Sequence, residues 1–208
     1  MNTFTLSNSF LQIQIASKGA ELQSIVSKQI GLEYMWNADP AFWAKKSPVL
    51  FPIVGGLKQN TYFFNNENYQ LNRHGFAREM DFNIAYQSSE KIIFNIQSSE
   101  ETLKIYPFPF VFSIVYELID DKLKVNYIVE NTGNETMYFS VGAHPAFKLP
   151  LIDNTDYTDY FLQFNCIENT GKWPLSKDGL IELQSIPLLN NSNKLSLNKE
   201  LYYTDALV

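Results

Sequence analysis

The sequence predicts an all-β fold, a sandwich of large twisted antiparallel sheets. Three observations carry this reading. Apolar and polar residues alternate with period two in stretch after stretch, turn chemistry punctuates those stretches, and helical signal is scant. A chain of 208 residues suits one large domain, since all-β folds often run this long as a unit. No linker-like composition divides it and nothing repeats at a fixed period. The expectation is a single domain over residues 1–208.

Taken in order, "FLQIQIAS" puts Leu11, Ile13 and Ile15 on one face and Gln12 and Gln14 on the other, as a half-buried strand does. "NADPAFWAKK" offers Asp39 as an N-cap and Pro40 at the first helical position, enough for a helical turn or two. Alternation returns in "KIIFNIQSS" through Ile92, Phe94 and Ile96. It recurs in "FVFSIVYELI" through Phe112, Ile114, Tyr116 and Leu118, and in "KLKVNYIVE" through Leu123, Val125, Tyr127 and Val129. Asp120-Asp121 and "NTGNE" (Asn131 to Glu135) supply the turns beside them. "LPLIDNTDYTD" and "LLNNSNKLSLN" read as surface loops. "FNCIENT" reads as a strand with Cys166 as a buried small hydrophobe.

Composition narrows the function classes. Apolar residues are 45% and aromatics 15%, ample for a core, and the formal net charge is −6. With so few clustered cations, phosphate neutralisation and hence nucleic-acid binding are not expected. No signal peptide or membrane-length apolar run is present in the sequence, and the lone Cys166 fits a reducing compartment. The expectation is a cytoplasmic protein with no membrane partner. Metal-ligand spacings and a Gly-rich phosphate loop are also missing from the sequence.

The scarce cations are concentrated. The chain has two histidines and two arginines, and Arg73, His74 and Arg78 all fall within "LNRHGFARE". His74 precedes Gly75, and His144 precedes Pro145 in "SVGAHPAFKLP". Gly allows close backbone approach, and Pro removes an amide donor while holding its predecessor extended. A histidine in such a place can project into a cleft and transfer protons near neutral pH. It can equally be a structural side chain bonded to a carbonyl. The residues alone leave both open.

"YMWNADPAFWAKKSPVLFPIVGGLKQNTY", "YQLNRHGFARE", "MYFSVGAHPAFKLP" and "LYYTDALV" together resemble the aldose 1-epimerase (galactose mutarotase-like) family, and within it the LacX-type branch. The blocks come in that branch's order and extend from Trp36 to the chain's last residue. The resemblance implies a supersandwich with a sugar cleft, and interconversion of the α and β anomers of a free hexose without a cofactor. It implies that His144 protonates the ring oxygen and that His74 is a second catalytic histidine bonding the sugar. Asp205 is implied to accept bonds from sugar hydroxyls, and Arg78 to line the rim. Where the family usually carries Arg, this chain has Gly56, with Lys58 close by.

The family's general base is a Glu in a segment following the Asp205 block, and the sequence stops at Val208. Glu168, Glu182 and Glu200 all precede that block. The expectation is thus a C-terminally truncated domain that binds sugar weakly at best and is nearly inactive by itself. A sugar-binding protein without turnover and a hexose-phosphate mutarotase are the alternative expectations, and a monosaccharide is the expected partner in each case.

Overall fold

The structure, a computed structural model, describes residues 2–203. The chain divides into two compact units, one through Lys148 and one from Leu149. In the first unit β1 (Thr3–Ser7), β2 (Leu11–Ala16), β3 (Leu22–Ser27) and β4 (Leu32–Glu33) form an antiparallel sheet in that order. Short strands follow: β5 (Val49–Leu50) and the hairpin of β6 (Thr61–Phe64) with β7 (Glu67–Gln70). A second four-stranded sheet holds β8 (Asn83–Gln87), β9 (Lys91–Gln97), β10 (Phe110–Ile119) and β11 (Lys122–Asn131), ordered β11-β10-β9-β8.

The alternation read from the sequence becomes the core. Leu11, Ile13 and Ile15 of β2 are buried in one cluster with Ile92, Phe94 and Ile96 of β9 and Phe112, Ile114, Tyr116 and Leu118 of β10. Leu123, Val125, Tyr127 and Val129 of β11 pack against it half-buried. The Phe4 and Phe94 rings meet edge-on at 5.6 Å, and the Tyr116 hydroxyl donates to the Ala20 carbonyl at 2.8 Å. These two contacts tie one sheet to the other, as in a face-to-face sandwich.

Phe51, fully buried, is the hub of this core. Its ring meets those of Phe76, Tyr106, Phe110, Phe112 and Phe139, stacking on Phe112 at 4.5 Å. Phe51→Ala is expected to cost about 3–5 kcal/mol, the range for emptying a large aromatic site. Urea unfolding of the two proteins measures it, and a loss below about 1 kcal/mol contradicts the packing described.

Helical structure departs from expectation in an instructive way. At Asp39 the cap chemistry exists: its carboxylate takes the Ala41 amide at 2.9 Å, and its carbonyl takes the amides of Phe42 and Trp43. The turn does not propagate. The amides of Lys46 and Ser47, which a helix would bond to the carbonyls of Phe42 and Trp43, instead go to the buried Glu21 carboxylate at 2.8 and 2.9 Å. A helix α1 forms at Glu100–Ile105, capped by Ser99 and Thr102 in a reciprocal box whose third residue is Thr rather than the usual Glu.

The last strand of the first unit is β12 (Gly142–Ala143), paired with β5. The second unit is built on β13 (Phe161–Lys172) and β14 (Ile186–Ser196), an antiparallel pair with several register shifts. "LLNNSNKLSLN", expected as a loop, is mostly β14. Its polar run is accommodated at a bulge, where Asn191 has φ +48° and its amide bonds the Asn169 side chain at 2.8 Å. Cys166 lies in β13 as expected but is exposed, because among the described residues this unit buries only Leu189, Leu195 and Leu197. No helix of the described residues is long and apolar enough to cross a membrane.

Candidate functional site

The site is organised by the stretch 46–55, "KSPVLFPIVG". Its alternate residues present carbonyls to opposite sides, as extended backbone does. On one side Lys46, Pro48 and Pro52 accept from the amides of Ala146 (2.8 Å), His144 (3.2 Å) and Ser140 (2.8 Å). Pro48 and Pro52 have no N–H to offer, so they can flank a ladder only as acceptors. On the other side Phe51 pairs with Gly75 in a parallel bridge and accepts the amides of Phe76 (3.0 Å) and Ala77 (3.2 Å). The histidines, far apart in the chain, therefore sit on segments that flank one and the same stretch.

His74 is fixed by two reciprocal bonds to Gly55. Its amide donates to the Gly55 carbonyl at 2.8 Å, and its ring Nδ1 accepts the Gly55 amide at 3.0 Å. An Nδ1 that accepts carries no proton, so the neutral ring bears its hydrogen on Nε2 and is a donor there. The backbone at His74 has φ +70°, and Gly55 and Gly75 are also left-handed. Gly75 is the position where this matters. A Cβ there would lie 2.2 Å from the Phe51 carbonyl oxygen, so only glycine lets the His74 segment approach the central stretch.

His144 is half-buried, with its ring 4.9 Å from that of Trp43 at an interplanar angle of 53°. Its Nδ1 is buried and has no hydrogen-bond partner among the described residues. Nε2 is left as the nitrogen through which a proton can pass.

Arg78, expected at the rim, stands in the 3-10 turn Ala77–Glu79. Its guanidinium folds back on its own loop: one terminal nitrogen donates to the Arg73 carbonyl at 3.0 Å, and Nε lies 4.0 Å from the Glu79 carboxylate. Glu79 also meets Lys18 at 2.9 Å and Lys45 at 3.6 Å. The hydrogen bond from Lys18, followed by the charge of Lys45, holds the Glu79 carboxyl below its usual range. A carboxylate so stabilised in its ionised form is a weak proton acceptor.

Asp205 lies outside the described residues. No group of His, Cys, Asp or Glu among the described residues could hold a metal ion. An aromatic recess of about 550 Å³, lined by Tyr62, Phe64, Tyr106, Phe108 and Tyr138 among others, includes neither histidine. Trp43 stands in one of the motif blocks but carries no sequence signal for a role, because its contact with His144 is made across the fold.

Comparison with known proteins gives a consistent result. The family model for aldose 1-epimerase matches residues 2–188, a span that includes both histidines. The chromosomal LacX protein of Lactococcus lactis subsp. lactis is 34% identical over 213 residues, covering 99% of this chain and 71% of that protein. Its plasmid-borne counterpart matches to the same extent. Among solved structures, a galactose mutarotase related enzyme from Lactobacillus acidophilus superposes with a TM-score of 0.92 at 36% identity, over 99% of this chain and 68% of that one. A galactose mutarotase-like protein from Lactobacillus casei does so with a TM-score of 0.86 at 33% identity, over 98% and 70%.

Proposed function

The chain belongs to the aldose 1-epimerase family, and from that premise we propose that it interconverts the α and β anomers of a free hexose, with His144 as the acid. The observation that carries the reading is the placement of His74 and His144 on the two flanks of the stretch 46–55. In the forward direction a base removes the proton of the anomeric hydroxyl while His144 gives a proton to the ring oxygen. The bond between the anomeric carbon and the ring oxygen breaks, leaving an open-chain aldehyde. Rotation about the adjacent carbon–carbon bond exposes the other face of the carbonyl, and the reverse proton movements close the ring. His74, whose Nε2 carries the ring proton, donates to a sugar oxygen and steadies the charge as it moves. Each positioned proton transfer is worth about 10²–10⁴-fold.

The state of Arg78 supports a neutral sugar over a phosphorylated one. A phosphate is best met by an open bidentate fork, and this guanidinium already donates to the Arg73 carbonyl beside Glu79.

Polarimetry of freshly dissolved α-galactose or α-glucose tests the reading on a form of the protein as long as its LacX relatives, with an equilibration rate that rises in proportion to protein as the expected result. His74→Ala is expected to raise KM and also lower kcat, since a donor to the sugar acts in both the bound and the transition state. An unchanged KM removes His74 from the sugar.

A second reading, sugar binding without turnover, is favoured by Glu79. This carboxylate, close to the histidine block in sequence, is committed to Lys18 and Lys45 and is not poised as a base. Saturable binding of galactose with no acceleration at any protein concentration selects that reading.

A further inference from the structure

We propose that Trp43 is a positioning residue, its indole setting the orientation of the His144 imidazole; the inference rests on the acid role given to His144. A functional histidine is ordinarily aimed by a hydrogen bond from its second ring nitrogen to a carbonyl or carboxylate. His144 has no such bond among the described residues, since Nδ1 is buried without a partner. What touches the ring instead is Trp43, at 4.9 Å and 53°, a tilted aromatic contact.

The loop that presents Trp43 is built to hold still. Its base is clamped by Ala146, two residues from His144: the Ala146 carbonyl takes the Trp36 amide at 3.0 Å, and its own amide goes to the Lys46 carbonyl at 2.8 Å. Its far end is pinned where the buried Glu21 carboxylate accepts the amides of Lys46 and Ser47. Across the loop the Trp36 indole N–H donates to the Trp43 carbonyl at 2.9 Å, and the Trp43 amide donates to Asp39 at 2.9 Å. The segment carrying His144 and the loop carrying its ring contact thus share one clamp. A displacement of either moves both, and the Nε2 of His144 keeps its aim.

Such a role separates kcat from KM. With Trp43→Ala the imidazole is free to rotate, and a misaimed acid loses rate more than affinity. The expected result is a fall in kcat of roughly tenfold or more with KM within about twofold, and recovery of most of the loss in Trp43→Phe. NMR supplies a readout independent of turnover. The chain has two histidines, so His74→Gln assigns both sets of ring signals. In Trp43→Ala the His144 ring protons are expected to lose the ring-current displacement caused by the indole while those of His74 stay in place. Trp36→Phe removes one bond from the loop while leaving the Trp43 ring intact, and is expected to produce a smaller shift of the same His144 signals. His144 signals that do not move in Trp43→Ala overturn the proposal, whether or not the unaltered protein proves to be a mutarotase. An effect on KM alone also overturns it, making Trp43 a sugar contact. Loss of activity by the unaltered protein, with the NMR shift observed, counts against the proposed function and not against the positioning.

Discussion

Replacement of His144 by glutamine is expected to slow the equilibration of α- and β-galactose by about 10²-fold or more relative to the unaltered protein. Glutamine keeps a polar side chain of similar reach but cannot give up a proton to the ring oxygen near neutral pH. The backbone at this position is anchored independently of the side chain, through the His144 amide to Pro48 and through the pairing of Gly142 and Ala143 with Leu50 and Val49. Stability should therefore change little, and the loss should fall on kcat. The half-buried ring makes no hydrogen bond at Nδ1 among the described residues, so no buried partner is orphaned by its removal. Polarimetry on both proteins at matched concentration gives the ratio. Equal rates remove the acid assignment and leave sugar binding without turnover as the better account.

Gly75→Ala should be among the most damaging single-methyl changes in the chain. At φ +70° an L-residue meets about 1–2 kcal/mol of backbone strain. The added Cβ would stand 2.2 Å from the oxygen and 2.5 Å from the carbon of the Phe51 carbonyl. Neither is the end of a flexible side chain. Relief requires moving the very carbonyl that accepts the amides of Phe76 and Ala77, each bond worth about 1 kcal/mol. It also shifts Phe51, around which the core rings are arranged. A loss of about 3 kcal/mol or more is expected, a large fraction of the 5–15 kcal/mol typical of a folded domain. Gly31→Ala is the control: φ there is +68°, but nothing lies within 4 Å of the added carbon. It should show the backbone strain alone. Equal urea midpoints for the two variants would mean that the close approach at Gly75 is not what holds the His74 segment.

Much of the fold is legible because burial and local pattern coincide. In β2, β9 and β10 every second residue enters the core, so alternation along the chain is the core itself. The stretch 46–55 is different. "KSPVLFPIVG" has no alternation, β5 and β12 are two residues each, and prolines occupy acceptor positions. Its role emerges only when two distant segments pair on its two sides. The candidate histidines were visible as motif residues beside Gly75 and Pro145, and their neighbours on the chain explain how they are held. Trp43 was not, since its partner is across the fold. The short helix went to Ser99 rather than Asp39 because a distant carboxylate, Glu21, takes the amides that a helix at Asp39 would need. In the second unit an Asn-rich run that looks like a loop is held in β14 by a side-chain bond at a bulge.

The central claim is that His74 and His144 serve one sugar site. The most direct test is a galactose titration followed through the ring signals of both histidines by NMR. One saturable event should move both sets of signals, with a single apparent Kd, regardless of how fast the anomers interconvert. His74→Ala should weaken that Kd as read at His144. Contradiction would be a His144 signal that stays in place while His74 saturates, or two responses with separate affinities, either of which assigns the histidines to different surfaces.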